Sequence, residues 1–202
     1  MTLKRKPCFP FADWAILKGV MRRTAILLLA SWLCTTAAWA DQSDPRLEGL
    51  FDELQKASDR SVAQALEQAI WQIWLMSEDA AVNALMSKGV SAMAQRDFGT
   101  ALQSFDEIVK LDPDFAEGWN KRATVNYLIG AYEDSLDDIV RTLRLEPRHF
   151  GALSGRGLVL LQLERAEEAL EAFEEALEVN PLMPSVRANI EALRKLLKDR
   201  EI

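Results

Sequence analysis

Cysteine and histidine are nearly absent from this chain. The two cysteines, Cys8 and Cys34, both lie in the first forty residues, and His149 is the single histidine. Residues 41–202 therefore contain no thiol that could form a disulfide, attack a substrate or bind a metal. His149 follows Pro147 in a predicted turn without a cysteine or serine partner pattern, so we expect a surface or capping group. The sequence predicts no catalytic residue, no metal site and no cofactor.

Strand-like alternation and a glycine-rich phosphate loop are also missing, which argues against an enzyme. Adjacent acids such as Glu167 and Glu168 lie in predicted helices, where neighbouring side chains point about 100° apart and do not form a chelating pair.

The formal net charge is −7, and because the first forty residues carry six basic side chains against one acid, residues 41–202 carry −12. A body this acidic lacks the basic face that a nucleic-acid backbone requires, so we expect a neutral or basic partner and no nucleic acid.

The first forty residues differ in composition from the rest. Arg22 and Arg23 precede an apolar run, Ala25 to Leu33, and smaller residues follow, ending in Ala38-Trp39-Ala40. This charged, apolar, small-residue order is typical of a signal peptide with an A-x-A cleavage site. The apolar stretch is shorter than the roughly 20 residues that comfortably span a bilayer. We therefore predict cleavage after Ala40 and a periplasmic protein.

Three alternatives concern this leader. Met21 directly precedes the signal and would start a peptide of ordinary length, so residues 1–20 are a candidate over-extended start. If they are translated, the competing prediction is an uncleaved anchor, in which residues 22–40 hold the protein in the inner membrane. Cys34 offers lipid attachment, but bulky Leu33 stands where bacterial lipoproteins need a small residue.

A 34-residue period runs through the rest of the chain. Pro113, Pro147 and Pro181 are spaced by it, and each follows a polar residue. Further registers repeat with the same spacing and each keeps one kind of residue: Leu85, Trp119 and Leu153; Gly89, Ala123 and Gly157; Ala101, Ser135 and Ala169; Leu102, Leu136 and Leu170; Phe105, Ile139 and Phe173. A fixed period of this length indicates a stack of similar supersecondary units.

With these residue types, the period resembles the tetratricopeptide-repeat (TPR) family, whose pattern has an early Trp or Leu, then Gly or Ala, a later Ala, an aromatic residue, and a Pro near the end. Three repeats follow, at 82–115, 116–149 and 150–183. The resemblance implies an all-α fold, a right-handed α-solenoid of antiparallel helix pairs. Departures from the family pattern, which affect local packing only, are Ala92, Ser135 and Thr142.

Close helix crossings explain the pattern in physical terms. The two helices of one repeat approach so closely that large side chains are excluded at the crossing, while aromatic residues fill the remaining space. Each proline ends the second helix, because a ring without an N–H cannot continue the hydrogen-bond ladder. The residues predicted to have these structural roles are Gly89, Ala101, Phe105, Pro113, Trp119, Ala123, Pro147, Gly157, Ala169, Phe173 and Pro181.

Flanking helices are predicted at both ends, since the terminal repeats of a solenoid would otherwise expose an apolar face. Residues 184–202 form an amphipathic capping helix. Residues 41–81 have the pattern of a degenerate helical hairpin, a fourth pair in which Phe51 and Trp71 take the large positions. We expect Trp71 and Trp74 to pack in the core against repeat one rather than to bind a ligand.

The TPR resemblance also implies a binding groove, because the first helices of successive repeats line the concave wall. The predicted partner-binding residues are Asn83, Met86, Val90, Met93, Asn120, Lys121, Thr124, Tyr127, Ser154, Leu158 and Leu161. Some TPR proteins grip a C-terminal carboxylate with Lys and Asn from successive repeats, but only Asn120 and Lys121 remain of such a clamp here. An equally weighted alternative is that the Met and Leu residues of this set contact neighbouring helices, or that the N-terminal helices fold over them.

Together these patterns predict a non-enzymatic scaffold or adaptor of the cell envelope that binds a peptide or helix of a partner protein. The alternative is a membrane-anchored assembly factor for an envelope or respiratory complex. TPR folds host many unrelated interactions, so the sequence names no partner.

Overall fold

The structure is a computed structural model that describes residues 41–200. All regular secondary structure in this range is α-helical, which confirms the all-α prediction. The helices are α1 (Arg46–Lys56), α2 (Arg60–Trp74), α3 (Ala80–Ala94), α4 (Phe98–Leu111), α5 (Ala116–Leu128), α6 (Tyr132–Leu145), α7 (Phe150–Gln162), α8 (Ala166–Val179) and α9 (Pro184–Arg200). The predicted leader, residues 1–40, lies outside the described residues. Among α1 to α9, no helix is both long and apolar enough to cross a bilayer.

Helices α3 to α8 form three successive pairs, one for each predicted repeat. The second helix of each pair ends two residues before Pro113, Pro147 or Pro181. The turn inside each pair contains one residue with left-handed backbone geometry, and these residues recur with the repeat: Arg96 (φ 61°), Gly130 (φ 83°) and Glu164 (φ 58°). Only glycine adopts this conformation without a steric cost, so repeat two has the least strained of the three turns.

Repeats one and three are closed by a glycine on the first helix and a phenylalanine on the second. A Cβ atom added at Gly89 would lie 2.6 Å from the Phe105 ring, and one added at Gly157 would lie 2.5 Å from the Phe173 ring. Both distances are far shorter than a carbon–carbon contact permits. Each phenylalanine ring is fully buried, so the glycine is required for the ring to reach the crossing point.

Repeat two meets the same constraint with different side chains. Ala123 and Ile139 stand where the other repeats have glycine and phenylalanine, and both are buried. The methyl group gained on the first helix is matched by the smaller side chain on the second. Ser135 is also buried and donates a hydrogen bond to the Ala123 carbonyl oxygen at 2.8 Å. Trp119 is only half-buried, and its Nε1 donates to the Pro113 carbonyl oxygen at 2.9 Å, so it closes a turn. Its ring lies beside the guanidinium groups of Arg122 and Arg141, at 4.8 and 6.0 Å, and does not fill the helix crossing as predicted.

Helix α9 covers the C-terminal end of the stack. Its residues Val186, Ile190 and Leu193 are buried in one cluster with Leu160 of α7 and Phe173 of α8. The opposite face of α9 is exposed and carries charged side chains. The last repeat therefore does not present its apolar side to water.

The hairpin formed by α1 and α2 lies across the turns that join the repeats. Its apolar core includes Trp74 and extends to Phe150, the first residue of α7. Polar contacts show the same placement: Glu48 pairs with Arg148 at 2.8 Å, and Asn180 donates to Glu67 at 2.8 Å. The hairpin is thus anchored at the boundary between repeats two and three and at the boundary before α9.

The prediction that Trp71 and Trp74 pack against repeat one was wrong. The Trp74 ring stacks on His149, with centroids 4.1 Å apart and planes inclined by 10°. Trp71 meets the Phe150 ring edge-on, with centroids 5.7 Å apart. Both tryptophans are therefore core residues, as expected, but their partners stand at the start of repeat three.

The reason is visible in the positions where the hairpin departs from the repeat pattern. Gln55 and Glu67 stand where a true repeat has small residues, so α1 and α2 cannot cross as closely as the other pairs. These two side chains instead reach the repeats: Gln55 donates to the Glu178 carbonyl oxygen at 3.3 Å, and Glu67 accepts from Asn180. Gln55 and Glu67 therefore depart from the repeat pattern, and the same two residues bind the hairpin to repeat three.

Candidate functional site

A cleft of about 200 Å³ opens between α5 and α7, the first helices of repeats two and three. Its walls come from these two helices and from α6 behind them. The lining residues are Asn120, Ala123, Thr124, Tyr127, Ser135, Ile139, Gly151, Ala152, Ser154, Gly155, Leu158 and Val159. Gly155 leaves part of this space free, because a Cβ added there would meet only Ile139 Cδ1, at 3.8 Å.

The cleft is lined by uncharged residues, and two of its hydroxyl groups already donate hydrogen bonds within the protein. None of its lining residues is Asp, Glu, Lys, Arg or His. Thr124 Oγ1 donates to the Asn120 carbonyl oxygen at 2.9 Å, and Ser154 Oγ donates to the Gly151 carbonyl oxygen at 3.0 Å. Side-chain donors of these two residues therefore point back into their own helices, and their oxygen lone pairs remain for a ligand.

Five of the predicted partner-binding residues meet in this cleft. They are Asn120, Thr124, Tyr127, Ser154 and Leu158. All five lie on the first helices of repeats two and three, and Tyr127 also packs against Tyr132 of α6, with ring centroids 5.8 Å apart. The cleft therefore joins positions that belong to two different repeats and are 34 residues apart in the case of Asn120 and Ser154.

The predicted residues of repeat one have other positions. Met86 is buried in the interior of that repeat, and Met93 packs against the same cluster, so neither offers a free apolar surface. Asn83 is half-buried and its side-chain amide binds the backbone of Ser77 through both its nitrogen and its oxygen. Val90 is 40% exposed. Met86 therefore contacts neighbouring helices, as the alternative prediction stated, and the side chain of Asn83 is occupied by contacts within the protein.

Two further predicted residues do not line the cleft. Leu161 is partly buried and packs against the cluster formed by α7, α8 and α9. Lys121 is next to Asn120 in the chain, but its Nζ lies 2.9 Å from Glu117 Oε1 and 5.1 Å from the centre of the Trp71 ring. Its charge is therefore neutralised within the protein.

Glu117 forms a buried polar cluster beside the cleft. Its side chain is fully buried, and Oε2 accepts hydrogen bonds from Asn120 Nδ2 at 3.0 Å and from His149 Nε2 at 2.9 Å. His149 Nδ1 accepts from the backbone N–H of Ala152 at 3.0 Å, so the ring carries its hydrogen on Nε2. Burial opposes the charge of Glu117, but the Lys121 ammonium and the His149 hydrogen bond outweigh it and hold the pKa of Glu117 below its usual value.

His149 caps helix α7, as the sequence allowed, but it is fully buried rather than on the surface. The hairpin is what buries it, because Trp74 covers one face of the imidazole ring. Trp71 lies alongside, and a Cβ added at Gly151 would stand 2.7 Å from its ring. Gly151 also lines the cleft, so the hairpin ends where the cleft begins.

Sequence reasoning missed the roles of Glu117, His149 and Gly151 in this cluster. A signal was nevertheless present, since Gly151 stands one period after Glu117, and the two residues have opposite properties. The large acid is placed under the hairpin, and the glycine admits a tryptophan. Residues of different size and charge at one register position, such as Glu117 and Gly151, indicate that the two repeats make different contacts there.

Comparisons with known proteins agree with the repeat pattern. Profiles described as tetratricopeptide repeat match residues 86–143 and 151–181. A TPR repeat-containing protein of Rhizobium etli is 36% identical over 152 residues, which cover 75% of this chain and 74% of that protein. The small glutamine-rich tetratricopeptide repeat-containing protein 2 of Mycosarcoma maydis is 27% identical over 113 residues, and the match spans 56% of this chain and 32% of that protein.

Solved structures show the same fold at lower identity. The first TPR domain of Spaghetti (RPAP3), bound to the HSP90 peptide SRMEEVD, has a TM-score of 0.57 at 20% identity, covering 58% of this chain and 94% of that one. The crystal structure of MamA also has a TM-score of 0.57, at 19% identity, covering 72% of this chain and 88% of that one. At such identities the likeness shows the fold and nothing further.

Proposed function

Because the chain belongs to the tetratricopeptide-repeat family, we propose that it is a protein-interaction adaptor whose cleft between α5 and α7 binds a short segment of a partner protein. Structural neighbours include TPR domains in complex with an HSP90 peptide and with an HSP70 peptide. The observation that carries the proposal for this chain is the cleft itself, in which exposed and half-buried side chains of two repeats face one space.

The size of the cleft favours a protein segment over a small molecule. Its volume of about 200 Å³ is below the roughly 300–1,000 Å³ of typical ligand pockets. Such a space accommodates one apolar side chain of a peptide that runs along the groove. Among the described residues, no group of three or more His, Cys, Asp and Glu side chains is placed to hold a metal ion.

We place this adaptor in the cell envelope. The charged, apolar and small-residue order of residues 22–40 supports export, and the alanines at 38 and 40 support cleavage. Intact mass of the protein from its fractionated native host tests this. A species that starts at Asp41 in the periplasmic fraction is expected. A full-length species in the membrane fraction would instead indicate the anchored assembly factor, and a lipid-shifted mass at Cys34 a lipoprotein.

Site-specific photo-crosslinking tests the cleft. Leu158 lines it and is 38% exposed, whereas Leu196 on α9 is 44% exposed and far along the chain from it. A photoreactive residue at position 158 should capture a defined partner in the native host, and one at position 196 should not. Equal capture from both positions would contradict the proposal.

A blocking variant makes this test specific. Gly155→Leu fills the cleft without displacing a packed side chain at the Cβ position, and it should abolish the crosslink from position 158. Gly49→Leu is the matched control, because Gly49 lies on α1 with no atom within 4 Å of an added Cβ. Persistence of the crosslink in Gly155→Leu would show that the partner binds elsewhere.

A further inference from the structure

We infer that the cleft selects an uncharged peptide segment that donates hydrogen bonds and rejects a carboxylate. This inference rests on the proposed function, since it specifies the ligand of the same cleft. It predicts an internal stretch of polypeptide, with backbone or side-chain N–H groups directed at the cleft and an aliphatic side chain at its floor. An acidic chain end of the kind bound in the HSP90 peptide complex is excluded.

The first argument is that the polar side chains of the cleft have little left to donate. Thr124, Ser154 and Ser135 each donate their hydroxyl hydrogen to a backbone carbonyl oxygen of the protein, at 2.8 to 3.0 Å. Asn120 Nδ2 donates to buried Glu117. A hydroxyl has one hydrogen but two lone pairs, so these groups present acceptors to a ligand. A carboxylate is also an acceptor and would face oxygen atoms at the three hydroxyls. The donors left to meet it are the Tyr127 hydroxyl, which can donate as well as accept, and the second Nδ2 hydrogen of Asn120.

The second argument is the orientation of Asn120. An amide side chain has its oxygen and nitrogen on opposite sides, and the nitrogen is held by Glu117 Oε2 at 3.0 Å. The oxygen is consequently the end that remains for the cleft. Glu117 acts here as a positioning residue, because it does not line the cleft itself.

The third argument is charge. The basic residues next to cleft residues in the chain are Lys121, Arg122 and Arg156. Each is paired with a carboxylate of the protein, Lys121 with Glu117, Arg122 with Asp138 and Arg156 with Glu175. A carboxylate entering the cleft would lose water without meeting a positive charge, which is strongly unfavourable. An amide N–H loses less on desolvation and gains an acceptor.

The floor of the cleft defines the rest of the ligand. Ile139, Leu158 and Val159 supply branched aliphatic surface, and Gly155 leaves room above it. An aliphatic side chain with a neighbouring N–H donor satisfies both parts of the site. N-acetyl-leucine amide has this chemistry, and N-acetyl-leucine is the same molecule with a carboxylate in place of the terminal amide.

The test is a titration of the isotope-labelled full chain with these two probes, followed by NMR. N-acetyl-leucine amide should shift the backbone signals of Thr124, Ser154 and Gly155, and N-acetyl-leucine should leave them in place at the same concentration. Binding of the carboxylate probe as tightly as the amide probe would overturn the inference, as would the absence of any shift with both probes.

A pair of isosteric variants tests the acceptor role. Thr124→Val removes the cleft hydroxyl and should weaken the amide probe about two- to tenfold, the value of one hydrogen bond. Thr142→Val is the matched control, because Thr142 makes the same bond to the carbonyl oxygen four residues earlier, at 3.0 Å, on α6 outside the cleft. Equal weakening in both variants would indicate a general structural effect and contradict the inference.

The outcome is separable from that of the proposed function. Suppose that Gly155→Leu abolishes the crosslink from position 158 but the amide probe does not bind. The adaptor function is then supported and the inferred ligand chemistry is wrong. If the crosslink itself is absent, the proposed function falls on its own experiment.

Discussion

The contacts inside a repeat and the contacts that hold the hairpin differ in their distance along the chain. The hydrogen bond from Ser135 to the Ala123 carbonyl joins residues 12 apart, whereas the Arg148–Glu48 and Asn180–Glu67 contacts join residues 100 and 113 apart. Ala101 and Ala169 replace Ser135 in the other two repeats, but the close helix crossing at this position recurs in each repeat with small residues. The second kind is made once, by residues that depart from the repeat pattern.

The two kinds of contact also use different chemistry. The helix crossings of repeats one and three depend on matched apolar volumes, as at Gly157 and Phe173. The contact between the hairpin and the repeats combines two tryptophans of the hairpin with a buried carboxylate and an imidazole of the repeats. In the described residues, Trp74 Nε1 is buried without a hydrogen-bond partner, and such a group lowers stability. The repeats should therefore form the more stable part and the hairpin the more easily released part.

The largest effect is expected from breaking a repeat interior. Phe173→Ala removes a fully buried ring and should lower the free energy of unfolding by about 3–5 kcal/mol. Denaturant unfolding followed by circular dichroism measures it. A loss as small as that of an exposed substitution would show that the glycine–phenylalanine contact is not central to the repeat.

The volume match can be tested by converting repeat three to the arrangement of repeat two. Gly157→Ala alone should overpack against Phe173 and cost about 1–3 kcal/mol. The double variant Gly157→Ala with Phe173→Ile should be more stable than the sum of the two single changes predicts, because each relieves the other. Strict additivity would contradict the match seen between Ala123 and Ile139.

A smaller effect is expected from releasing the hairpin. In Gly151→Ala the new Cβ would lie 2.7 Å from the Trp71 ring, so the hairpin should loosen at a cost of about 1–3 kcal/mol. Hydrogen exchange should accelerate in residues 46–74 and stay slow in α7 and α8. Gly49→Ala has open space around the added methyl group and should leave the hairpin protected. Equal exchange in both variants would mean that Trp71 does not need the glycine.

The smallest expected effect is a pH dependence of the same hairpin contact. The folded pKa of Glu117 is lowered, after the opposing effect of burial, by Lys121 and His149, whereas in the unfolded chain it is about 4.3. The folded state then binds fewer protons than the unfolded state. Its contribution to stability is fully present above the unfolded pKa and is lost as pH falls through the folded pKa.

The difference in unfolding free energy between the natural protein and Glu117→Gln isolates this contribution. It should shrink as pH falls below about 4.3. Asp138 provides an internal contrast, because burial raises its pKa despite the hydrogen bonds from Arg122, and its contribution to stability falls as pH rises. A difference that is constant with pH would contradict the predicted charge of Glu117.

Much of the fold could be predicted because its determinants are periodic. The prolines, the small residues at the crossings and the large apolar residues that face them recur every 34 positions, so each register is observed three times. Five of eleven predicted groove residues line one cleft for the same reason, since equivalent positions of neighbouring repeats face the same side. Met86 was misplaced because an apolar residue on that face is equally suited to the interior.

The hairpin could not be placed in the same way. Its helical pattern shows that α1 and α2 form and which face is apolar, but not which surface receives that face. The choice is made by Gly151, His149 and Phe150 together, and their common role has no counterpart in the other repeats.

Amino-acid sequence alone thus determined the helices, the repeat boundaries and the closely packed pairs, because these depend on contacts that are short in the chain and repeated along it. Only the tertiary structure decided where the hairpin lies, that Glu117 and His149 are buried together, and that Lys121 is paired within the protein. The position of the hairpin depends on contacts such as Arg148–Glu48, which join residues 100 apart in the chain. A contact of this kind that is made once leaves no period in the sequence from which it could be inferred.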